Sequence, residues 1–236
     1  MKALTILAAA VCLFGLGNTL EAQEMNQALN PKQQAIVPIA AFTSSGDLAK
    51  LKPALTEGLK AGLTVNEIKE VLVQLYAYAG FPRSLNALGD FMELIKEREA
   101  EGIKDTAGPE AQPLPADKTR LELGTANQTT LAGGPVGGPL YEFAPAIDFF
   151  LKDHLFGDIF GRDNLDFQSR EIATVAALAN MSGVNPQLQA HMNISMNVGL
   201  TEAQMKNLVE VLKNNVGAPG GDNAAAILEA VLKNRK

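Results

Sequence analysis

The sequence predicts an all-α protein in which one helical unit occurs twice. Residues 62–64 (Gly-Leu-Thr) recur as residues 199–201, and residues 45–46 (Ser-Gly) recur as residues 182–183, both 137 positions later. This offset holds without a gap from about residue 33 to about residue 96, which indicates a repeated supersecondary unit. No sustained period-two pattern of β-branched residues is present, so a sheet is not expected.

The first 22 residues have the pattern of a secretory signal. Lys2 precedes an apolar run from residue 4 to residue 16, and a polar stretch then leads to the small residue Ala22. The apolar run is too short to span a bilayer comfortably. We therefore predict a signal peptide over residues 1–22, an exported mature protein that is periplasmic or secreted, and no membrane span in that mature chain. An ordinary N-terminal helix is the alternative.

The composition excludes several classes of function. Cys12 is the only cysteine of the sequence, so cleavage of the signal would leave no disulfide and no reactive thiol. The formal net charge is −6 and no basic stripe occurs, which argues against a nucleic-acid partner. The two histidines, His154 and His191, have no neighbours at metal-ligand spacing. Neither a metal nor another cofactor is expected.

Helix signals follow one another in the first repeat, assigned to residues 23–104. Residues 33–43 are rich in Ala, Ile and Val and predict a buried helix, and Gly62 is suited to end the next one. Thr64 and Glu67 then have the spacing of a capping box. Pro82 favours the first turn of a final helix that runs to about residue 101.

The second repeat, assigned to residues 143–236, shows the same order of signals. Residues 169–181 predict a buried helix, and Thr201 with Gln204 forms a second capping-box pattern. A weaker closing helix is expected over residues 223–233. Residues 105–142 between the repeats are rich in Pro, Gly, Thr and Ala, and predict a linker or a functional loop with a short helix near residues 119–123.

Two segments of the chain follow a recognisable family pattern. Residues 76–87 read Tyr-Ala-Tyr-Ala-Gly-Phe-Pro-Arg-Ser-Leu-Asn-Ala, and residues 169–171 (Ser-Arg-Glu) are followed by His191 and the Gly-Leu-Thr cap. Both resemble the carboxymuconolactone decarboxylase family, which includes the AhpD-like proteins. The resemblance covers most of the mature chain. It implies an AhpD-like helical bundle that assembles into homo-oligomers.

The resemblance also implies a choice between two activities. Family members decarboxylate a carboxy-lactone or, when they carry Cys-x-x-Cys, reduce peroxides and disulfides through a relay of Glu, two Cys and His. Glu171 and His191 match the Glu and the His, but residues 183–186 (Gly-Val-Asn-Pro) stand where the cysteines would lie. Redox activity is therefore not expected. The leading hypothesis is decarboxylation or related lyase chemistry on a small carboxylated or lactone-like substrate.

Five residues are candidates for that chemistry. His191 is the candidate proton donor because imidazole titrates near neutrality, and Glu171 would fix its tautomer. Arg83 would pair with a substrate carboxylate, while Tyr76 and Tyr78 would donate hydrogen bonds to the substrate. Packed or solvent-exposed structural roles stay open for all five. A non-catalytic protein that binds a small molecule or serves assembly is likewise open.

The two repeats lack different parts of this set of residues. The pairs related by the offset of 137 are His191 with Ala54, Glu171 with Gln34, Tyr76 with Lys213, Tyr78 with Asn215, and Arg83 with Gly220. Each repeat thus retains what the other lacks. We predict one composite site, in which the corner at residues 76–83 meets His191 within one chain or across an oligomer interface.

Overall fold

The computed structural model describes residues 28–235, and these residues form helices joined by turns and loops. No strand occurs among them, which confirms the all-α class. The predicted signal segment, residues 1–22, lies outside the described residues. None of the helices between residues 28 and 235 combines the length and hydropathy that a membrane span requires.

The helices fall into three groups along the chain. The first group contains α1 (Pro31–Ser45), α2 (Leu48–Lys60), α3 (Val65–Gln74), α4 (Tyr76–Ala79) and α5 (Phe81–Ala100). The middle group contains α6 (Arg120–Ala132), α7 (Pro139–Phe143), α8 (Pro145–Phe149) and a π-helix (Phe150–Ile159). The last group contains α9 (Phe167–Ala179), α10 (Asn185–Asn197), α11 (Glu202–Asn215) and α12 (Ala218–Asn234).

Helices of the first and last groups begin at related positions. α2, α3 and α5 begin at residues 48, 65 and 81, whereas α10, α11 and α12 begin at residues 185, 202 and 218, each 137 positions later. Thr64 and Thr201 both form complete capping boxes at the starts of α3 and α11. Gly62 and Gly199 follow α2 and α10 with φ of 94° and 100°, a region that favours glycine.

The centre of the bundle is the packing of α1 against α9. Their side chains are buried on nearly every face, as Val37 and Val175 illustrate. The Ser44 hydroxyl donates a hydrogen bond to the Ala177 carbonyl at 3.1 Å. Apolar residues of α3, α11 and α12 join the same core. The first and last groups of helices therefore share one hydrophobic interior.

A buried ion pair also links the two groups. Arg170 of α9 is fully buried, and it donates to the Glu70 carboxylate at 2.9 Å and to the Gln74 side chain at 3.0 Å, both on α3. Burial lowers the pKa of Arg170, and the charge of Glu70 acts in the opposite direction. Glu70 also accepts from Arg162 at 2.9 Å. Since unpaired buried charges are costly, these contacts fix α3 against α9.

Residues 105–142 contain α6 and most of α7 in addition to irregular segments. α6 extends well beyond the short helix expected near residues 119–123. It packs on the π-helix through a small apolar cluster that includes Leu131, Leu155 and Phe156. The Thr119 capping box explains where α6 begins.

The chain after α5 returns to the N-terminus of α3. The carbonyls of Thr106 and Ala107 accept from the backbone N–H groups of Val65 and Asn66, each at 2.9 Å. Arg98 at the end of α5 donates two hydrogen bonds of 2.7 Å to the Asp105 carboxylate. The ion pair of Arg98 and Asp105 therefore holds in place the segment whose carbonyls bind the free backbone N–H groups at the start of α3.

Asp105→Asn is expected to lower the free energy of unfolding by about 1 kcal/mol at pH 7. Hydrogen bonds from Arg98 lower the pKa of Asp105, so the stabilisation is present above its ordinary pKa of 3.8 and is lost as pH falls further. Urea unfolding at pH 7 and pH 3 measures this, and the difference in stability between the two proteins should be smaller at pH 3 than at pH 7. Glu97→Gln, in an exposed pair with Lys52, should change little at either pH. An Asp105 effect that is equal at both pH values would contradict the prediction.

Candidate active site

His191 and Glu171 form a buried pair between α10 and α9. The Nδ1 atom of His191 lies 2.8 Å from Oε2 of Glu171. Glu171 is fully buried and His191 is 8% exposed. Because the carboxylate can only accept, we assign the Nδ1 proton to this hydrogen bond. The other ring nitrogen, Nε2, then has a free lone pair in the neutral imidazole.

Tyr78 of α4 packs on this pair from the first group of helices. Its ring meets the His191 ring edge-on, with centroids 5.4 Å apart. The Tyr78 hydroxyl and Oε1 of Glu171 are both buried and have no hydrogen-bond partner among the described residues. Burial, followed by the charge of Glu171, raises the pKa of Tyr78, so its hydroxyl keeps its proton. Residues from both halves of one chain thus meet at this point.

A cavity of about 670 Å³ opens beside His191 and Tyr78. This volume lies within the range typical of small-molecule sites. The middle group of helices forms one side of the cavity, and α10 forms much of the other. Its wall is mainly apolar and includes Gln128, Leu140, Tyr141, Ile147, Leu151, Leu155, Phe156, Leu178, Gln187 and Ile194.

Tyr76 and Arg83 lie outside the wall of this cavity within one chain, and completion of the composite site across an oligomer interface stays a prediction. Tyr76 stacks on Phe81 with ring centroids 4.2 Å apart. Arg83 is exposed in the first turn of α5, with its Nε beside Gly46. The cavity therefore receives Tyr78 from the residues 76–83 corner, but it does not receive the guanidinium that was expected to bind a substrate carboxylate.

His154 occupies a different environment from His191. Its Nδ1 lies 2.8 Å from Oδ2 of Asp158, four residues later on the π-helix. The His154 side chain is about half exposed, and its ring lies 5.7 Å from that of Tyr76. It is not part of the cavity wall. The imidazole of His191 is therefore the one available to a ligand in the cavity.

A smaller groove of about 450 Å³ lies at the related position in the other half of the chain. Its wall includes Ala54 and Asn215, which the offset of 137 relates to His191 and Tyr78. None of residues 105–160 lines it. This groove therefore lacks the imidazole, the phenol and the side formed by the middle helices.

Part of the chain matches a known family. Residues 13–89 match the sequence model of the carboxymuconolactone decarboxylase family. The matched residues are about a third of the chain, and over that stretch the chain is similar to this family. The match covers α1 to α4 and the start of α5, and so it includes Tyr78. His191 and Glu171 lie beyond the matched residues. No curated protein matches the chain significantly.

Two structural features that lie outside the matched residues were not predicted from the sequence. The buried Arg170 carried a signal, because a cation within a predicted buried helix requires an acidic partner such as Glu70. Gln128, a buried residue of the cavity wall, carried none. Its helix has few apolar residues at regular spacing, so neither the helix nor its cavity face could be inferred.

Tyr78→Phe is expected to raise the free energy of unfolding by about 1 kcal/mol, because it removes a buried hydroxyl that makes no hydrogen bond of good geometry among residues 28–235. For a chain of this size, thermal unfolding should shift upward by roughly 2–4 °C. Tyr141→Phe, also in the cavity wall, is the matched control and should leave the transition unchanged. A lower unfolding temperature for Tyr78→Phe would mean that the hydroxyl has a partner in solution.

Proposed function

We propose that this protein is an acid/base catalyst of the carboxymuconolactone decarboxylase type, acting on a small lactone-like molecule in the cavity beside His191. The observation that supports the proposal is the 2.8 Å contact between His191 and the buried Glu171 at the edge of that cavity. A carboxylate on one ring nitrogen orients the imidazole and leaves the other nitrogen for the substrate.

The proposed reaction is proton transfer at a carbon next to a carbonyl group. His191 Nε2 accepts the proton, the C–H electron pair moves into the enolate, and the negative charge of Glu171 stabilises the imidazolium. Decarboxylation of a carboxy-lactone would use the reverse proton transfer. After CO₂ leaves, the imidazolium returns a proton to the enolate carbon. Such general acid/base catalysis contributes about 10²–10⁴ in rate.

A binding protein without catalysis is the second candidate. The part of the cavity wall that residues 28–235 form contains no Arg or Lys side chain, although loss of CO₂ from a carboxylate usually calls for a group that orients the departing carboxylate. Because Cys12 is the only cysteine of the sequence and lies in the proposed signal segment, thiol-based peroxide reduction is not proposed.

We also propose that the mature protein is exported and forms homo-oligomers. Phe81, Leu85 and Met92 are all more than half exposed and follow one side of α5. Large apolar side chains in such a row are typical of surfaces that pack against another subunit. Light scattering of the protein lacking residues 1–22 would test assembly, and fractionation of expressing cells would test export.

The test of the catalytic proposal is a panel of lactones, carboxy-lactones and β-keto acids. Turnover, together with exchange of the α-proton for deuterium, is measured for the wild-type protein and for His191→Ala. Turnover that depends on His191 supports the proposal. Equal turnover by both proteins removes His191 from the mechanism, and binding without turnover by either protein favours the binding-protein alternative.

A further inference from the structure

Among residues 28–235, the wall of the large cavity contains His191 and two tyrosines, but no Lys or Arg. Arg170 lies outside this wall, in the buried cluster with Glu70 and Arg162. Arg235 also lies outside it and donates to the side chains of Asn193 and Asn197. A carboxylate ligand would therefore meet no Lys or Arg side chain in the described wall itself.

The buried Glu171 makes an anion still less favourable. A carboxylate placed at His191 Nε2 would lie on the far side of the ring from the Glu171 carboxylate. Protonation of His191 does not remove the difficulty, because the imidazolium and Glu171 together carry no net charge. Burying a further negative charge beside such a pair is strongly unfavourable.

The polar groups that remain free suit a neutral ligand. Gln128 is 5% exposed and lines the cavity, and its side-chain amide has no hydrogen-bond partner within residues 28–235. By contrast, the side-chain amides of Asn193 and Asn197 already have hydrogen-bond partners. The amide oxygen of each accepts from Arg235, and the NH₂ group of Asn197 donates to the Leu131 carbonyl. The free groups of the wall thus include a neutral amide and an imidazole nitrogen, among apolar side chains.

We infer that the cavity binds a neutral, mainly apolar small molecule with a carbonyl group, such as a lactone, ester or ketone, and that it selects against free carboxylates. The amide of Gln128 would donate to a polar oxygen of this ligand, and the apolar wall would cover its hydrocarbon part. The inference concerns the same cavity as the proposed function and names its substrate class. It departs from the carboxylated substrate that the sequence suggested.

The smaller groove suggests how to reverse this preference. Lys50 lines that groove at the position that the offset of 137 relates to Gln187 of the cavity. Gln187 is exposed at its surface, so a Lys there should not disturb the core. Gln187→Lys therefore adds one cation to the cavity wall. Gln189→Lys makes the same charge change on α10 outside the wall and is the matched control.

The experiment is calorimetric titration at pH 7 with pairs of compounds that share a skeleton. Methyl phenylacetate is compared with phenylacetate, and δ-decalactone with 5-hydroxydecanoate. The wild-type protein should bind at least one neutral member about 10-fold or more tightly than its acid. Gln187→Lys should reduce that ratio at least about 3-fold by strengthening binding of the acid, whereas Gln189→Lys should leave the ratio unchanged.

Binding separates this inference from the catalytic proposal. If His191→Ala keeps the preference for the neutral compound but no protein turns it over, the catalytic proposal fails and the inference stands. If the acids bind as tightly as their neutral partners, or if neither neutral compound binds, the inference is overturned. An equal response of Gln187→Lys and Gln189→Lys would also overturn it, since the preference would then reflect the surface charge of the whole protein.

Discussion

His191→Ala is expected to lower kcat/KM about 100-fold to 10,000-fold for any substrate that the wild-type protein turns over. The substitution removes the ring nitrogen beside the cavity and also the partner of the buried Glu171 carboxylate. Steady-state kinetics across pH 5–9 measure the loss.

Two further variants make this result specific. His154→Ala removes the half-exposed histidine of the π-helix and should retain nearly full activity. His191→Gln keeps a polar group near Glu171 and should fold, yet it cannot exchange a proton near neutral pH. Circular dichroism and thermal unfolding check that each variant is folded. Activity close to that of the wild type in folded His191→Gln would contradict the proposed role.

Gly124→Ala is expected to destabilise the protein by about 3 kcal/mol, the largest effect on stability that we predict. Gly124 of α6 lies directly against the backbone of the π-helix. A Cβ atom there would overlap the Lys152 carbonyl oxygen and lie 2.6 Å from the Gly157 nitrogen. Backbone atoms cannot move aside as a flexible side chain can, so α6 and the π-helix would have to separate. Urea unfolding measures the loss.

The matched control is Gly89→Ala in the middle of α5. Apart from its chain neighbours and its own helix backbone, no heavy atom of the described residues lies within 4 Å of the place where its Cβ would be, so the substitution should stabilise the protein by up to about 1 kcal/mol through helix propensity. Gly124→Ala should also weaken ligand binding, because α6 and the π-helix both contribute to the cavity wall. Wild-type stability of Gly124→Ala would show that these two helices do not pack this closely in solution.

The sequence predicted most helices of the first and last groups because their ends carry local chemistry. The capping boxes at Thr64 and Thr201, and the glycines that end α2 and α10, depend on residues within a few positions of each other. α6 and the π-helix have weaker signals. Their stability comes from packing against each other, including the contact at Gly124, and this depends on tertiary structure.

The candidate site was predicted only in part for a geometric reason. Tyr76 and Tyr78 are two residues apart on α4, and both pack against the apolar cluster formed with the π-helix. Their ring contacts differ, since Tyr78 meets His191 whereas Tyr76 stacks on Phe81. The sequence motif contained both tyrosines and Arg83, but it could not give the rotation of α4 and α5 relative to α10.

The pairing of Tyr78 with His191 joins opposite halves of the polypeptide. A protein with a single copy of these helices would need a second identical subunit to complete a pocket. A symmetric dimer of such subunits would contain two identical pockets. Fusion into one chain removes this constraint, because each pocket can then acquire its own mutations. Here one pocket has His191, Tyr78 and a side formed by the middle helices, whereas the related groove has Ala54 and Asn215 at the two corresponding positions.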